Sequence, residues 1–228
     1  EDAGSGSITL KRRFGSVGRV GVELSLTNLT TSSSDYSVLN IGELDPVFNA
    51  GSGPNYMVYR MAVAPDGTIL VAGNFATFNG VARPRLVRLN ADGSLDASFT
   101  ADVNNHIHAV AVQPDGKILI AGNYSSVSHG TGITRLLPDG TVDDTFDADQ
   151  APTTIHDIKV LPSGKILVAG RFSSWSGGLA VLNPDGSRDQ TFVHSGYVFS
   201  SNIFDNIHPR TAIQPDGKIV VAGLQTSS

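Results

Sequence analysis

Val110–Gly122 reads VAVQPDGKILIAG: an apolar run, a Pro-Asp-Gly turn and a second apolar run. The same thirteen-residue frame returns as MAVAPDGTILVAG at Met61–Gly73, IKVLPSGKILVAG at Ile158–Gly170 and TAIQPDGKIVVAG at Thr211–Gly223. Proline fixes φ at the first turn corner, the aspartate accepts hydrogen bonds from nearby backbone N–H groups, and glycine supplies the left-handed residue. Four copies of one hairpin make this a repeat protein before any other feature is weighed.

A second turn alternates with the first. It reads Asn-Ala-Asp-Gly at 90–93, Leu-Pro-Asp-Gly at 137–140 and Asn-Pro-Asp-Gly at 183–186. Each copy leads into Leu95-Asp96-x-x-Phe99, Val142-Asp143-x-x-Phe146 or Arg188-Asp189-x-x-Phe192, and a worn copy of this half stands at Leu39–Phe48. The first-turn glycines, Gly67, Gly116, Gly164 and Gly217, are spaced 49, 48 and 53 residues apart. Two hairpins per period predict four short antiparallel strands, in the first period Tyr59–Ala64, Thr68–Asn74, Pro84–Leu89 and Leu95–Thr100. Asn79-Gly80 between the hairpins signals a further tight turn.

The Ile-Leu-Val-Ala-Gly strand is apolar on both faces and therefore needs a layer above and below it. Four-stranded sheets stacked face to face around an axis provide that, so the fold class is an all-β β-propeller with blades of about 50 residues. The chain carries three full blades and two half blades. Either the halves close a four-bladed ring, or the chain is a fragment of a larger propeller; its start inside another module and its stop within a repeat favour the fragment. Gly73, Gly122, Gly170 and Gly223 end the second strand without a side chain. They are expected to leave room for an aromatic ring such as Phe75, Tyr124 or Phe172.

Composition bounds the rest. Of the 228 residues 40% are hydrophobic, 16% are charged and 25 are glycine, the balance of a turn-rich β-protein with an ample core. A net charge of −5 gives no reason to expect nucleic acid or anionic membrane as a partner. The absence of cysteine excludes disulfides, thiolate metal sites and cysteine nucleophiles. No apolar run approaches the length of a membrane helix, so membrane insertion is not expected. Glu1–Ser7 has no signal-peptide character, and an exported form implies a leader ahead of these residues.

Residues 1–36 differ in pattern from the repeats. Ser7–Arg12 and Arg19–Leu26 alternate in the period of half-buried strands around a glycine-punctuated turn, and a Ser/Thr-rich loop comes after them. The residues Arg13, Gly15, Ser16, Gly18, Val20, Val22, Asp35 and Tyr36 resemble part of a Calx-β domain across about 7–36. The second half of that domain, with its calcium-binding acidic cluster, is absent, so no calcium site is carried over. The expected division is 1–36 for this segment and 37–228 for the repeats.

From about 44 to 223 the chain resembles the delta-60 repeat β-propeller family. The matching frame is Gln-Pro-Asp-Gly-Lys-Ile-Leu-Val-Ala-Gly-x-Phe, then Arg-Leu-Asn-x-Asp-Gly-Ser-Leu-Asp-x-x-Phe. The resemblance implies a module of a large bacterial secreted or cell-surface protein, part of a longer chain or assembly. Other protein modules or surface glycans are its expected partners.

Three places invite chemistry. Eight residues before each first-turn glycine stand Tyr59, His108, His156 and Pro209, with His208 one step earlier and His106 on the same strand face as His108. In a propeller the first strand lines the central channel, so these side chains converge near one mouth. His108, His156 and His208 are candidate transition-metal ligands, and the competing reading is a polar cap on the innermost strand. Asp139, Asp143, Asp144, Asp147 and Asp149 suit calcium by type but lack EF-hand or RTX spacing; a solvated edge that blocks strand pairing accounts for them. Trp175, between second and third strands, is a candidate glycan- or partner-binding residue together with Tyr59, and packing beneath a loop is its alternative role.

No catalytic motif is present: no Gly-x-Ser-x-Gly, His-Glu-x-x-His, P-loop or sialidase-type Asp box. The expectation is a non-enzymatic structural or adhesive module. A ligand-binding propeller with a histidine-lined mouth, or an enzyme whose site lies in other blades, stands as the alternative.

Overall fold

The computed structural model describes residues 7–14, 20–27, 47–103, 106–125, 131–148, 154–171, 178–193 and 209–222. The chain divides into two compact units, Glu1–Pro46 and Val47–Ser228. In the first, β1 (Ser7–Phe14) pairs antiparallel with β2 (Val20–Thr27) in an unbroken register from Ser7↔Thr27 to Phe14↔Val20.

The second unit is a run of antiparallel blades. The first blade holds β3 (Val58–Val63), β4 (Ile69–Gly73) and, after the small hairpin β5 (Thr77–Phe78) and β6 (Val81–Ala82), β7 (Leu86–Leu89). The second holds β8 (Ile107–Val112), β9 (Ile118–Ser125) and β10 (Thr131–Leu136); the third holds β11 (Thr154–Val160), β12 (Ile166–Arg171) and β13 (Leu179–Leu182). The fourth contains β14 (Arg210–Ile213) and β15 (Ile219–Ala222). A Pro-Asp-Gly turn, Pro-Ser-Gly in the third blade, closes each inner hairpin with the same bonds. In the first blade Gly67 N–H donates to Ala64 O at 2.9 Å and Ala64 N–H to Thr68 O at 2.8 Å, with Gly67 at φ 85°. This is a three-residue loop ending in a left-handed glycine. The Asn79-Gly80 turn between β5 and β6 has both residues at positive φ, 51° and 75°, as a two-residue hairpin turn requires.

The expected fourth strand is reduced to a single bridge in each of the first three blades: Leu89↔Leu95, Leu136↔Val142 and Leu182↔Arg188. The aspartate next in the chain diverts it. Asp96 Oδ1 accepts from Ser98 N–H at 2.9 Å and Ser98 Oγ at 2.6 Å, and Asp143 with Thr145 and Asp189 with Thr191 repeat the arrangement. Local side-chain bonds of this kind compete with the ladder and end it.

The middle strands are buried on both faces because the core lies between blades. Leu70, Ala72 and Leu86 of the first blade cluster with Val110, Ile118 and Ile120 of the second. Leu119, Ala121 and Ile133 of the second pack on Ile158, Ile166 and Val168 of the third. Leu167, Ala169 and Val181 of the third meet Ile219 and Val221 of the fourth. Arginines fasten the outer side of the first two seams. Arg88 Nε donates to Asp96 at 2.7 Å, its guanidinium lies 4.7 Å over the Phe99 ring, and Nη1 reaches the Pro138 carbonyl in the next blade. Arg135 repeats this with Asp143 at 2.8 Å, Phe146 at 4.7 Å and the Pro184 carbonyl.

A row of rings on bulged inner strands

Each of the first three inner strands carries a β-bulge at the same place. The register steps from Val58↔Gly73 to Arg60↔Ala72, from Ile107↔Gly122 to Ala109↔Ala121, and from Ile155↔Gly170 to Asp157↔Ala169. The residues that the register skips are Tyr59, His108 and His156. A bulge re-aims the side chain it carries.

The opposing glycine makes the bulge possible. A Cβ on Gly73, Gly122 or Gly170 would overlap the carbonyl oxygen of Met57, His106 or Thr154. The room these glycines leave is therefore taken by the backbone of the inner strand, not by the aromatic ring expected from sequence. Gly223 lies outside the described residues, as do the ring of Tyr124 and the whole of Phe172.

The bulges bring three rings from three blades into a row. Tyr59 stacks on His108 with centroids 5.4 Å apart and planes 27° apart, and His108 meets His156 at 5.8 Å and 56°. His106 approaches Tyr59 from the side at 6.5 Å. Tyr59, His106 and His108 are half-buried, and His156 is buried. The row ends in the fourth blade at buried Pro209, where Arg210 Nη1 donates to the His156 carbonyl at 3.0 Å and to the Pro209 carbonyl at 3.2 Å. Of the residues singled out from sequence, Tyr59, His108 and His156 are thus brought together. His208 and Trp175 lie outside the described residues. Among the described residues no group of three His, Cys, Asp or Glu side chains is placed to hold a metal ion.

Sequence reasoning missed the polar seam beside His156. Asp157 is buried on β11 and accepts from Thr211 N–H at 2.6 Å and Thr211 Oγ1 at 2.8 Å on β14, with Lys159 Nζ at 3.4 Å. The signal available was its departure from the repeat, since the other copies carry Arg60, Ala109 and Arg210 at this position.

The other carboxylates are bound up in the scaffold. Asp66, Asp92, Asp139 and Asp185 are each held below the ordinary carboxylate value, first by the hydroxyl and then by the amide of the residue two positions on. Burial alone would raise the Asp143 carboxyl, but the Thr145 hydroxyl and amide, Lys117 and Arg135 outweigh it and hold the group well below its usual range. Asp189 is pulled down to about 2 by Lys165, then by the Thr191 hydroxyl and amide. In the proposed acidic cluster, Asp139 is a turn residue, Asp143 a buried ion-pair partner, Asp144 and Asp147 are exposed, and Asp149 lies outside the described residues. None of this is the chemistry of a proton-transfer pair, which needs one group raised towards neutral pH.

Known proteins add a family and a fold. Among curated proteins no sequence matches the chain. Similar solved structures include the WD40 beta propeller domain of Doa1, with TM-score 0.50 and 18% identity over 75% of this chain and 49% of that one. A protein of unknown function from Bacteroides caccae aligns with TM-score 0.42 and 17% identity over 74% of this chain and 53% of that one. The chain spans about half the length of each of these proteins. The family described as "Domain of unknown function (DUF5122) beta-propeller" matches residues 64–99, 113–146, 161–192 and 214–228, each match beginning at or beside an inner turn. With just over half of its residues inside those matches, and with the blades they outline formed, the chain belongs to the DUF5122 beta-propeller family.

Proposed function

We propose that the chain is a non-catalytic recognition module that presents Tyr59 and His108, backed by the buried His156, to a protein or glycan partner. The observation that carries this reading is the contrast within one repeat. The turns, the glycines and the outer aspartates recur from blade to blade, whereas the bulge positions change identity while keeping a ring in three successive blades. A row of planar rings with polar edges suits the flat face of a sugar or of a partner's side chain, because such groups offer apolar area and a hydrogen-bonding tip together. The setting is a large bacterial secreted or cell-surface protein, a reading that rests on the delta-60 repeat resemblance and on the Calx-β-like residues around the β1–β2 hairpin.

Glycan-array binding of the wild-type chain against Tyr59→Ala and His108→Ala tests this. The expected result is wild-type binding that falls at least about tenfold in each variant, the effect of losing about 1.4 kcal/mol of contact. Undiminished binding by the Tyr59→Ala/His108→Ala double variant would sink the proposal. A second reading, a transition-metal ion held by His108 and His156 with His208 as third ligand, draws on the 5.8 Å separation of the first two imidazoles. Metal analysis of the purified chain decides it: stoichiometric metal lost in His108→Ala supports it, and metal-free protein rejects it.

A further inference from the structure

We infer that the seam between the first and second blades holds a binding cleft for a primary alkylammonium group, the chemistry of a lysine side chain. The cleft lies at the turn end of the inner hairpins, the opposite end from the bulges, and has a volume of about 260 Å³. Leu70 and Arg88 of the first blade and Val112 and Ile118 of the second form its walls, and the inner turns bring Asp66 and Asp115 to it.

The repeat identifies what fits there. The second blade carries Gln113 and Lys117 at the positions of Ala64 and Thr68, and the third carries Leu161 and Lys165. These longer side chains fill the later seams: Gln113 is buried, and Leu161 packs into the core between the third and fourth blades. Each lysine reaches the outer aspartate of its own blade, with Lys117 Nζ 3.1 Å from Asp143 Oδ2 and Lys165 Nζ 2.7 Å from Asp189 Oδ2. In the first blade both positions are truncated at once. Thr68 stops short and donates its hydroxyl to Asp66 Oδ1 at 2.7 Å. The cleft stands where the amide or leucine and the lysine stem run in the other blades.

The charges favour the same occupant. Among the described residues Asp96 forms an ion pair with Arg88 alone, and its side chain keeps 14% exposure where those of Asp143 and Asp189 keep 4% and 9%. The second blade shows that one such carboxylate accommodates two cations, since Arg135 and Lys117 both meet Asp143. With Asp66 and Asp115 at the cleft beside Asp96, carboxylates outnumber the Arg88 guanidinium, so an arriving cation is attracted. An alkyl stem lies against Leu70, Val112 and Ile118 while its charged head reaches the carboxylates, the way lysine buries its stem and keeps its head polar. A compact ammonium suits the place better than a second guanidinium, because Arg88 already holds the planar fork beside Asp96. This inference is independent of what the ring row binds.

Amide chemical shifts of the 228-residue chain, followed by NMR as n-butylamine is added at neutral pH, test it, with 1-butanol as the uncharged chain of the same length. Saturable shifts are expected at Thr68, Leu70 and Ile118, with the amine bound at least about tenfold more tightly than the alcohol. Thr68→Lys should abolish the binding, because its own ammonium takes the place, and should raise the melting temperature by about 2 °C or more. Acetyl-Gly-Lys-Gly-amide distinguishes the source of the group. Tighter binding of the peptide than of n-butylamine assigns it to a lysine of a partner protein, the reverse order assigns it to a free amine, and either supports the cleft. No saturable shift up to roughly 100 mM amine overturns the inference. So does equal binding of 1-butanol, or a Thr68→Lys variant that binds undiminished or melts below the wild type.

Discussion

At the residue scale, the Arg135–Asp143 pair shows how one repeat position is solved in two ways. Both side chains are buried, and Lys117 stands 3.1 Å from the same carboxylate oxygen. In the third blade Val181 occupies the arginine's place, and Lys165 neutralises Asp189 at 2.7 Å instead. Asp143→Ala strands a buried guanidinium and should cost about 3–5 kcal/mol in urea unfolding. Arg135→Val should cost less, because Lys117 can then serve Asp143 as Lys165 serves Asp189. Equal losses in the two variants would refute that compensation. Acid stability rests on the same carboxylates. Their folded values lie below the unfolded aspartate value of about 3.9, so the stabilisation is complete above that value and is lost as pH falls through the folded ones. Melting temperature should therefore hold steady to about pH 4.5 and drop between about pH 4 and pH 2, the lower bound being where Asp189 protonates. A profile flat down to pH 2 by circular dichroism would contradict this.

At the element scale, the inner-strand bulge is the feature on which the candidate site depends. Gly122→Ala places a Cβ against the His106 carbonyl and 3.1 Å from the His108 amide. Backbone on both sides cannot give way cheaply, and the expected loss is about 1–3 kcal/mol with displacement of the ring row. Gly116→Ala is a different case, since the left-handed φ of 82° is strained but the added methyl meets only Pro138 Cγ at 3.5 Å. It should cost about 1–2 kcal/mol and leave binding at the row unchanged. Thermal melts and the glycan assay on the pair separate the two effects; equal loss of binding would detach the row from the bulge. The hairpins were legible in sequence because Pro-Asp-Gly dictates its own turn. The strand-ending glycines were legible as close approaches, but not what approaches them, because the pressing group is a carbonyl that every residue possesses. The fourth strand was overread from Leu95–Thr100, where Asp96 bonds Ser98 locally instead of continuing the ladder. Asp157 and Thr211 were not legible as partners, since their pairing links positions 54 residues apart that no repeat pattern couples.

At the scale of the whole molecule, stability is distributed as in a stack of repeats, in which each blade gains from its immediate neighbours. The second and third blades are covered on both faces, and their middle strands β9 and β12 hold residues with no exposure at all, such as Leu119 and Val168. Among the described residues the fourth blade packs against the third alone, and its β15 alternates between half-buried and exposed residues. Local opening is easiest where few apolar contacts hold a strand, so amide exchange should be slowest in β9 and β12 and fastest in β14 and β15. Hydrogen exchange read by mass spectrometry ranks the strands directly. Equal protection in β9, β12 and β15 would mean that the array opens as one unit and that stability is not distributed blade by blade.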